Sequence, residues 1–417
     1  MKSTTATEVP VHGEAGHGVR WTEIAMFVIL LVSYAINAMD RQIFPLIAAD
    51  VLHEYGFSLA NTGLLSTIFT LGMAVAGIPT GFLVARYSRK TVLQIGIGLF
   101  SATTLLTAYS HGFLDMLAYR AITGIGEAMQ LTVIIAIAAS YFVRFRSTAV
   151  GSVNFAFGVG AIVGPLLGGV LLGPDRNWRM PLITFGIVGF AAMGVIALLV
   201  AKRMTETQAA AETREDTFGA ATLFNRNTVL LTILSVFGGL IIYGYLGMYP
   251  TFLREHLHYS PVATGSVMSF FGLGVFSSIL GGWFGDRYSP RTVLGGAFIG
   301  AAVLGYLLFS GPTGQVAQSA LSFVWGFVVS GVLYVNLAGY HIKAVRTSLA
   351  GRATGVFVTS LYGAAAVAGY IIGAIASYAG WAAAGLIQVT VLALAGLLLT
   401  LALQPAHMAL ASSQRKG

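Results

Sequence analysis

The sequence predicts an all-α membrane protein of twelve transmembrane helices, arranged as two pseudo-symmetric six-helix bundles. The first observation behind this is composition: of 417 residues, 56% are hydrophobic and only 9% charged, with a mean hydropathy of +0.80, which excludes an ordinary soluble enzyme. The second is segmentation, because twelve apolar stretches of about 20 residues each, enough to span a bilayer, are separated by short polar breaks. The third is an internal repeat. Arg86-Tyr-Ser-Arg-Lys-Thr-Val-Leu93 returns 201 residues later as Arg287-Tyr-Ser-Pro-Arg-Thr-Val-Leu294, identical at six of eight positions. Two unrelated basic loops would share their charges but not Tyr-Ser and Thr-Val-Leu, so the halves read as parallel repeats.

The elements follow in order. Helix 1 is predicted from about Trp21 to Phe44 and helix 2 from about Ser58 to Ala85, with Asp50, His53 and Glu54 in the loop between them. Helices 3 to 6 are expected near Val92 to Tyr109, Phe113 to Phe142, Ala149 to Leu172 and Pro181 to Ala201. The polar stretch from Lys202 to Asn227 reads as the linker between halves. Helices 7 to 12 are expected near Val229 to Phe252, Ala263 to Phe284, Val293 to Phe309, Val316 to Tyr340, Gly355 to Tyr378 and Ala382 to Leu403. This divides the chain into a tail (1–20), an N-terminal bundle (21–201), a linker (202–227), a C-terminal bundle (228–405) and a second tail (406–417).

A net charge of +8 could indicate nucleic acid, but the cations follow loop topology. Arg86, Arg89, Lys90, Arg144, Arg146, Lys202, Arg203, Arg287 and Arg291 fall on one side, against Arg176, Arg179 and Arg254 on the other. The positive-inside rule then puts both termini in the cytoplasm of a multi-pass plasma-membrane protein, a bacterial inner membrane being the expected setting. The chain has no cysteine, so it forms no disulfide. The first twenty residues lack a signal-peptide pattern, and His12 and His17, with no accompanying cluster, predict no metal site. Gly-x-Gly pairs such as Gly158 and Gly160 follow no strand, so no nucleotide cofactor is expected.

Four ionisable residues lie inside apolar helices, where charge is costly and marks substrate or proton paths. Asp40 and Arg41 are neighbours in helix 1, so their side chains diverge by about 100°. Arg120 and Glu127 in helix 4 share a face about 10.5 Å apart along the axis. We expect Arg41 to look with Tyr34 into a shared aqueous pocket and Asp40 to face helix 4 near Arg120. One reading of the four is a structural ion-pair network holding helices 1 and 4 together. The other is functional: the arginines bind an anion and the carboxylates exchange protons, since a nearby cation and a dry cavity act oppositely on a carboxyl group.

The stretches Gly81-Phe-Leu-Val-Ala-Arg-Tyr-Ser-Arg-Lys90 and Gly282-Trp-Phe-Gly-Asp-Arg-Tyr-Ser-Pro-Arg291 resemble the loop signature of the major facilitator superfamily. By that likeness Arg86, Arg89, Asp286 and Arg287 form a cytoplasmic gate motif. Ala85 stands where an acidic residue is usual, which weakens the first copy. Met39-Asp-Arg41, Gly124-Ile-Gly-Glu-Ala128 and Tyr249-Pro-Thr-Phe-Leu253 further resemble the anion:cation symporters, which include sialin, vesicular glutamate carriers and sugar-acid transporters. The first two also occur in spinster-like lipid transporters.

The resemblance implies that Arg41 and Arg120 contact a substrate anion and that Asp40 and Glu127 carry protons. A tyrosine of sugar-acid members aligns with Met73, which points to a less hydroxylated substrate. The Gly160 to Gly169 stretch around Pro165 resembles a motif of drug-proton antiporters, or equally a close-packed helix contact with a proline kink. In the C-terminal half, where no Lys, Arg, Asp or Glu lies mid-helix, the polar candidates are Tyr243, Tyr245, Tyr334, Asn336, Thr359, Ser360 and Tyr362. Gln130 and Asn154 join them from the first half. Each fits an interhelical hydrogen bond as well as a substrate contact. Together they favour a small organic monoanion with an apolar or aromatic remainder, bound between a charged half and an aromatic one. His341 and Lys343 are expected at a solvated helix end.

The expectation is therefore a proton-coupled symporter of a small organic carboxylate, working as a monomer by alternating access, without nucleic acid, cofactor or metal. The alternative is a proton-coupled exporter of drugs or lysolipids.

Overall fold

The computed structural model describes residues 20–142, 145–173, 175, 177–206 and 219–409. The tail up to residue 19 with His12 and His17, linker residues 207–218 and the last eight residues lie outside the described residues. Within them the chain is almost wholly helical. Ten stretches are long and apolar enough to cross a membrane, one of which, Thr347–Thr400, breaks at Gly380 (φ 82°, ψ 167°) and supplies two helices. With the more polar Arg89–Thr107 the rods number twelve. Backbone polar groups in hydrocarbon must bond within their own segment, which is why apolar runs of this length fold as helices.

We label the rods α1 (Trp21–Tyr55), α2 (Leu59–Thr67 and Phe69–Arg86), α3 (Arg89–Thr107), α4 (Phe113–Tyr141), α5 (Arg146–Leu172) and α6 (Arg179–Leu199) in the first half. The second half has α7 (Arg226–Glu255), α8 (Pro261–Val275 and Ser278–Arg287), α9 (Pro290–Ser310) and α10 (Gln315–Trp325 continuing through Gly326–Tyr334 to Val335–Lys343). It closes with α11 from Ala350 to the break at Gly380 and α12 onward through Gly385–Val391 to Leu392–Thr400. The linker contributes a short helix, Lys202–Glu206, and an extended pairing of Ala220 with Val345.

The repeat in sequence is a repeat in geometry. α2 ends at Arg86 and α8 at Arg287. Tyr87 (φ −118°, ψ 161°) and Tyr288 (φ −112°, ψ 162°) then run extended, and Ser88 and Ser289 occupy the N-cap positions of α3 and α9. The shared Tyr-Ser thus serves one local purpose twice, turning the chain sharply into the next helix.

One boundary departs from expectation in a way that matters. Helix 1 does not stop near Phe44 but continues through Pro45 to Tyr55, closed by Gly56 in the left-handed conformation (φ 67°). Asp50, His53 and Glu54 therefore lie on α1 and not in a loop. A proline removes one hydrogen bond and kinks a helix, but in hydrocarbon neighbouring helices carry it through.

The halves are pressed together at the end where α1 finishes. A methyl on Gly63 of α2 would run into the Gly369 carbonyl of α11, and one on Gly265 of α8 into the Pro165 carbonyl of α5. Only glycine permits such backbone approach. Gly160 and Gly164 seat α5 against Ala35, Ala38 and Met39 of α1, so the Gly-Pro stretch is used in helix packing. At the opposite end, methyls on Gly81 and Gly355 meet nothing within 4 Å.

Candidate functional site

The site is built from the middle of α1 and α4. Ser33, Asn37 and Arg41 recur at four-residue spacing along α1 and present one polar stripe. On α4, Gly124 lets α2 approach at the Phe69 carbonyl, while Gly126 does the same for α3 at the Gly96 carbonyl. The two glycines of Gly-Ile-Gly-Glu thereby seat α4 against α2 and α3, and Glu127 meets the α1 stripe.

Arg41 Nε lies 3.2 Å from Glu127 Oε2 and donates to Asn37 Oδ1 at 3.0 Å. Asn37 Nδ2 donates to Gln130 Oε1 at 2.8 Å, and Gln130 Nε2 donates to Ser33 Oγ at 3.1 Å. Asn37, absent from the sequence-based candidates, is the hinge of this network. Its signal was the four-residue spacing to Arg41.

Asp40 leaves α1 in a different direction from Arg41 and adjoins both Glu127 and α3. Its Oδ2 accepts from Thr104 Oγ1 of α3 at 2.9 Å, and Arg120 is the cation that acts on it most strongly. Arg120 is boxed by two rings, 4.8 Å from the Phe44 centroid and 5.4 Å from that of Phe69, with its Nε 3.4 Å from the Leu65 carbonyl.

All four charged side chains are buried: Arg41 is 6% exposed, Asp40 and Arg120 1%, Glu127 0%. The expectation of an open aqueous pocket is corrected, because the closed packing of α1, α2 and α4 covers them. Their hydrogen-bonding capacity is nevertheless incompletely used. Arg41 Nη2 and both terminal nitrogens of Arg120 lack hydrogen-bond partners. Buried groups this polar are normally satisfied, so the cluster is poised to accept something.

The second half meets it with aromatic hydroxyls. The electrostatic neighbours of Arg41 are Glu127, then Tyr34, Tyr362 and Tyr243. Tyr243 of α7 packs edge-on against Tyr362 of α11 at 5.9 Å and tilted against Phe69 at 6.2 Å. Tyr334 of α10 and Tyr362 join their hydroxyls at 3.0 Å. Arg41 also lies over the Phe157 ring of α5 at 5.9 Å.

Other candidates fall elsewhere. Asn336 is buried between α10 and α8, where Nδ2 donates to the Gly281 and Val332 carbonyls at 2.8 and 2.9 Å; it ties helices together and is not at the cluster. The Gln130 amide is consumed by Asn37 and Ser33. The Ser360 hydroxyl donates back to the Phe357 carbonyl at 3.0 Å, and Asn154 is exposed on α5.

The loop-motif residues do not meet as one cluster. Asp286 pairs with Lys343 at 2.8 Å, Arg287 lies over Trp283 at 5.4 Å, the Arg89 amide donates to Glu206 at 2.9 Å, and Arg86 is exposed. His341, expected in solvent, is wholly buried against Phe357, with Nδ1 2.8 Å from the Leu337 carbonyl.

A second charged pair was missed altogether. Arg254, in the last turn of α7, is 7% exposed and joins its terminal nitrogens to the carboxylate of Asp50, itself 8% exposed. Beside it His53 Nε2 lies 3.0 Å from Glu255. A polar cavity of about 240 Å³ lined by His53, Arg254, Glu255, His258 and Tyr259 adjoins them. Reading Pro45 as a helix end hid the pair. The Gly56 and Ser58 capping signals mark the true boundary.

The model of the Major Facilitator Superfamily matches residues 30–370 of this chain. Among curated relatives, protein spinster of Drosophila melanogaster is 30% identical over 72% of the chain. The match spans about half (54%) of spinster's own length. The gallate transporter of Pseudomonas putida is 26% identical over 80% of this chain and 79% of its own. The crystal structure of a bacterial homologue of the human lysosomal transporter spinster superposes with a TM-score of 0.73 at 16% identity, covering 92% of this chain and 96% of that one.

Proposed function

The chain belongs to the Major Facilitator Superfamily, and from that premise we propose that it carries a small organic carboxylate together with protons by alternating access. The observation that carries this reading is the divided guanidinium of Arg41: Nε is shared between Glu127 and Asn37, while Nη2 is buried without a partner. An arriving carboxylate competes with Glu127 for Arg41. If it wins, Glu127 is left as a buried carboxylate without its counter-ion, a state costly enough that a proton joins it. Substrate and proton therefore stabilise the same state, which is all that coupling requires.

The gallate transporter among its relatives supports a carboxylate cargo. So does the placing of two arginines at the centre, which repel the lipophilic cations of a drug exporter. Asp40 is read as the second proton carrier and Arg120 as its counter-ion. The tight packing of the two halves at the Asp50 end supports a state closed there, away from the linker side. The distribution of loop cations favours the cytoplasm of a plasma membrane for the linker side and both termini.

Uptake of radiolabelled aromatic and aliphatic carboxylates into proteoliposomes under an inward proton gradient tests this. Glu127→Gln is expected to abolish gradient-driven uptake while counterflow persists, and Arg41→Ala to abolish both. Undiminished gradient-driven uptake in Glu127→Gln would remove Glu127 from coupling.

A further inference from the structure

Alternating access requires the halves to part at the end where they now meet, and one contact there is chemically unlike the glycine packing around it. Arg254 of α7 donates both terminal nitrogens to the Asp50 carboxylate of α1, Nη2 at 2.8 Å, and reaches the Leu46 carbonyl at 3.4 Å. These acceptors all belong to α1, so parting the halves takes them away together. Glu255 follows Arg254 on α7, but its side chain leaves the helix about 100° away and faces His53, 3.0 Å distant. The same contacts fix where Arg254 stands on the path. Leu46 lies beyond Arg41 on α1 by about 7.5 Å along the axis, and Arg254 also lines the polar cavity of about 240 Å³ that reaches His53, His258 and Tyr259. The order along α1 is therefore Arg41, then Arg254 at Leu46 and Asp50, then the cavity at His53.

We propose that Arg254 is an outer docking site for the carboxylate cargo, which takes the place of Asp50 on its guanidinium as the halves part and then passes inward to Arg41. The exchange is like for like, one carboxylate for another on a planar donor that accepts two oxygens at once. When the cargo leaves for Arg41, Arg254 is free to take Asp50 back, and the end closes behind the cargo. Arg254 thus serves in turn as docking cation and as latch. The inference rests on Arg41 as the carboxylate anchor and adds a second, separate cation to the path.

The two members of the pair distinguish docking from latching. Asp50→Asn and Arg254→Gln break the same contact, so a latch alone predicts the same change from both. A docking site predicts different ones. The measurement is transporter-dependent uptake of radiolabelled benzoate, supplied at the Asp50 face of membrane vesicles of one orientation. Asp50→Asn frees the guanidinium and is expected to leave KM unchanged or lowered. Arg254→Gln removes it and is expected to raise KM about tenfold with the maximal rate little changed, the loss of a hydrogen bond to a charged group read as a fold-change. From the linker face the two variants should shift KM alike. Arg254→Lys keeps the charge, is expected to recover part of the loss, and serves if Arg254→Gln folds poorly. Equal KM shifts at the Asp50 face in Asp50→Asn and Arg254→Gln overturn the docking site and leave Arg254 a latch, with Arg41-dependent transport intact. Wild-type vesicles that take up no benzoate, or uptake indifferent to Arg41→Ala, instead overturn the carboxylate anchor, and the docking site with it.

Discussion

Arg254 in the last turn of α7 and Asp50 near the end of α1 form a buried, two-pronged ion pair that joins the two halves of the molecule. The same guanidinium reaches the Leu46 carbonyl, 3.4 Å away, in the residue after Pro45. Removing one member of a buried pair strands the other and costs about 3–5 kcal/mol. Because the pair spans both halves, much of that cost falls on their closure. Asp50→Asn is therefore expected to open this end. The natural chain has no cysteine, so Ala366→Cys, placed at a buried position of α11 whose backbone carbonyl accepts from Thr67 Oγ1 at 2.9 Å, is a unique reporter. Its reaction with a water-soluble maleimide should be at least about fivefold faster in the Asp50→Asn background, since a change of about 1 kcal/mol in opening suffices.

Asn37 holds Arg41 with one end of its amide and Gln130 with the other. Asn37→Leu keeps the volume but leaves both partners unbonded in a buried place, which costs about 1–3 kcal/mol. The expected result is a lower melting temperature and about a tenfold weaker apparent affinity for the anion, read by thermal shift and by saturation of uptake, with Asn37→Asp or Asn37→Gln recovering part of the loss.

Gly63 and Gly369 face each other with no room for a methyl. Gly369→Val is expected to leave each half folded but to wedge the contact apart, so that the Ala366→Cys reporter labels as fast as it does in Asp50→Asn. The two substitutions act on one closure, so combining them should accelerate labelling by less than the product of their separate effects.

Glu206, in the linker helix, caps α3 by accepting from the Arg89 and Lys90 amides at 2.9 and 3.1 Å. Burial alone would raise its carboxyl, but the backbone donors outweigh that and hold it below the usual glutamate range. A group so depressed contributes stability that is complete above its unfolded value and lost as pH falls through its folded one. Glu206→Gln should lower the stability of the wild type at pH 7 by about 1 kcal/mol. The variant should also lose part of the fall in melting temperature that the wild type shows on acidification below about pH 5.

How much of this was legible in the chain differs from residue to residue. Asp40, Arg41, Arg120 and Glu127 stand out in a linear reading because charge in apolar sequence is rare and expensive. Their division into two groups follows from the 100° step between neighbours on a helix. Who pairs with whom did not follow. Arg41 was expected to face open space and instead turns to Glu127, while Gly124 and Gly126 seat α4 against α2 and α3. Asn336 and Gln130 look like binding groups in sequence, yet an amide in a membrane must bond to something, and the nearest helix supplied it.

What the sequence determined by itself was the all-helical membrane architecture, the repeat of its halves and the identity of the buried charges, since each depends on hydrophobicity and spacing along one chain. The tertiary structure alone decided the Asp50–Arg254 pair, the role of Asn37 and the meeting of Tyr334 with Tyr362. Their partners lie 204, four and 28 residues away. Even the four-residue case depends on neighbouring helices drying the site, because a hydrogen bond gains its worth only where water cannot replace it.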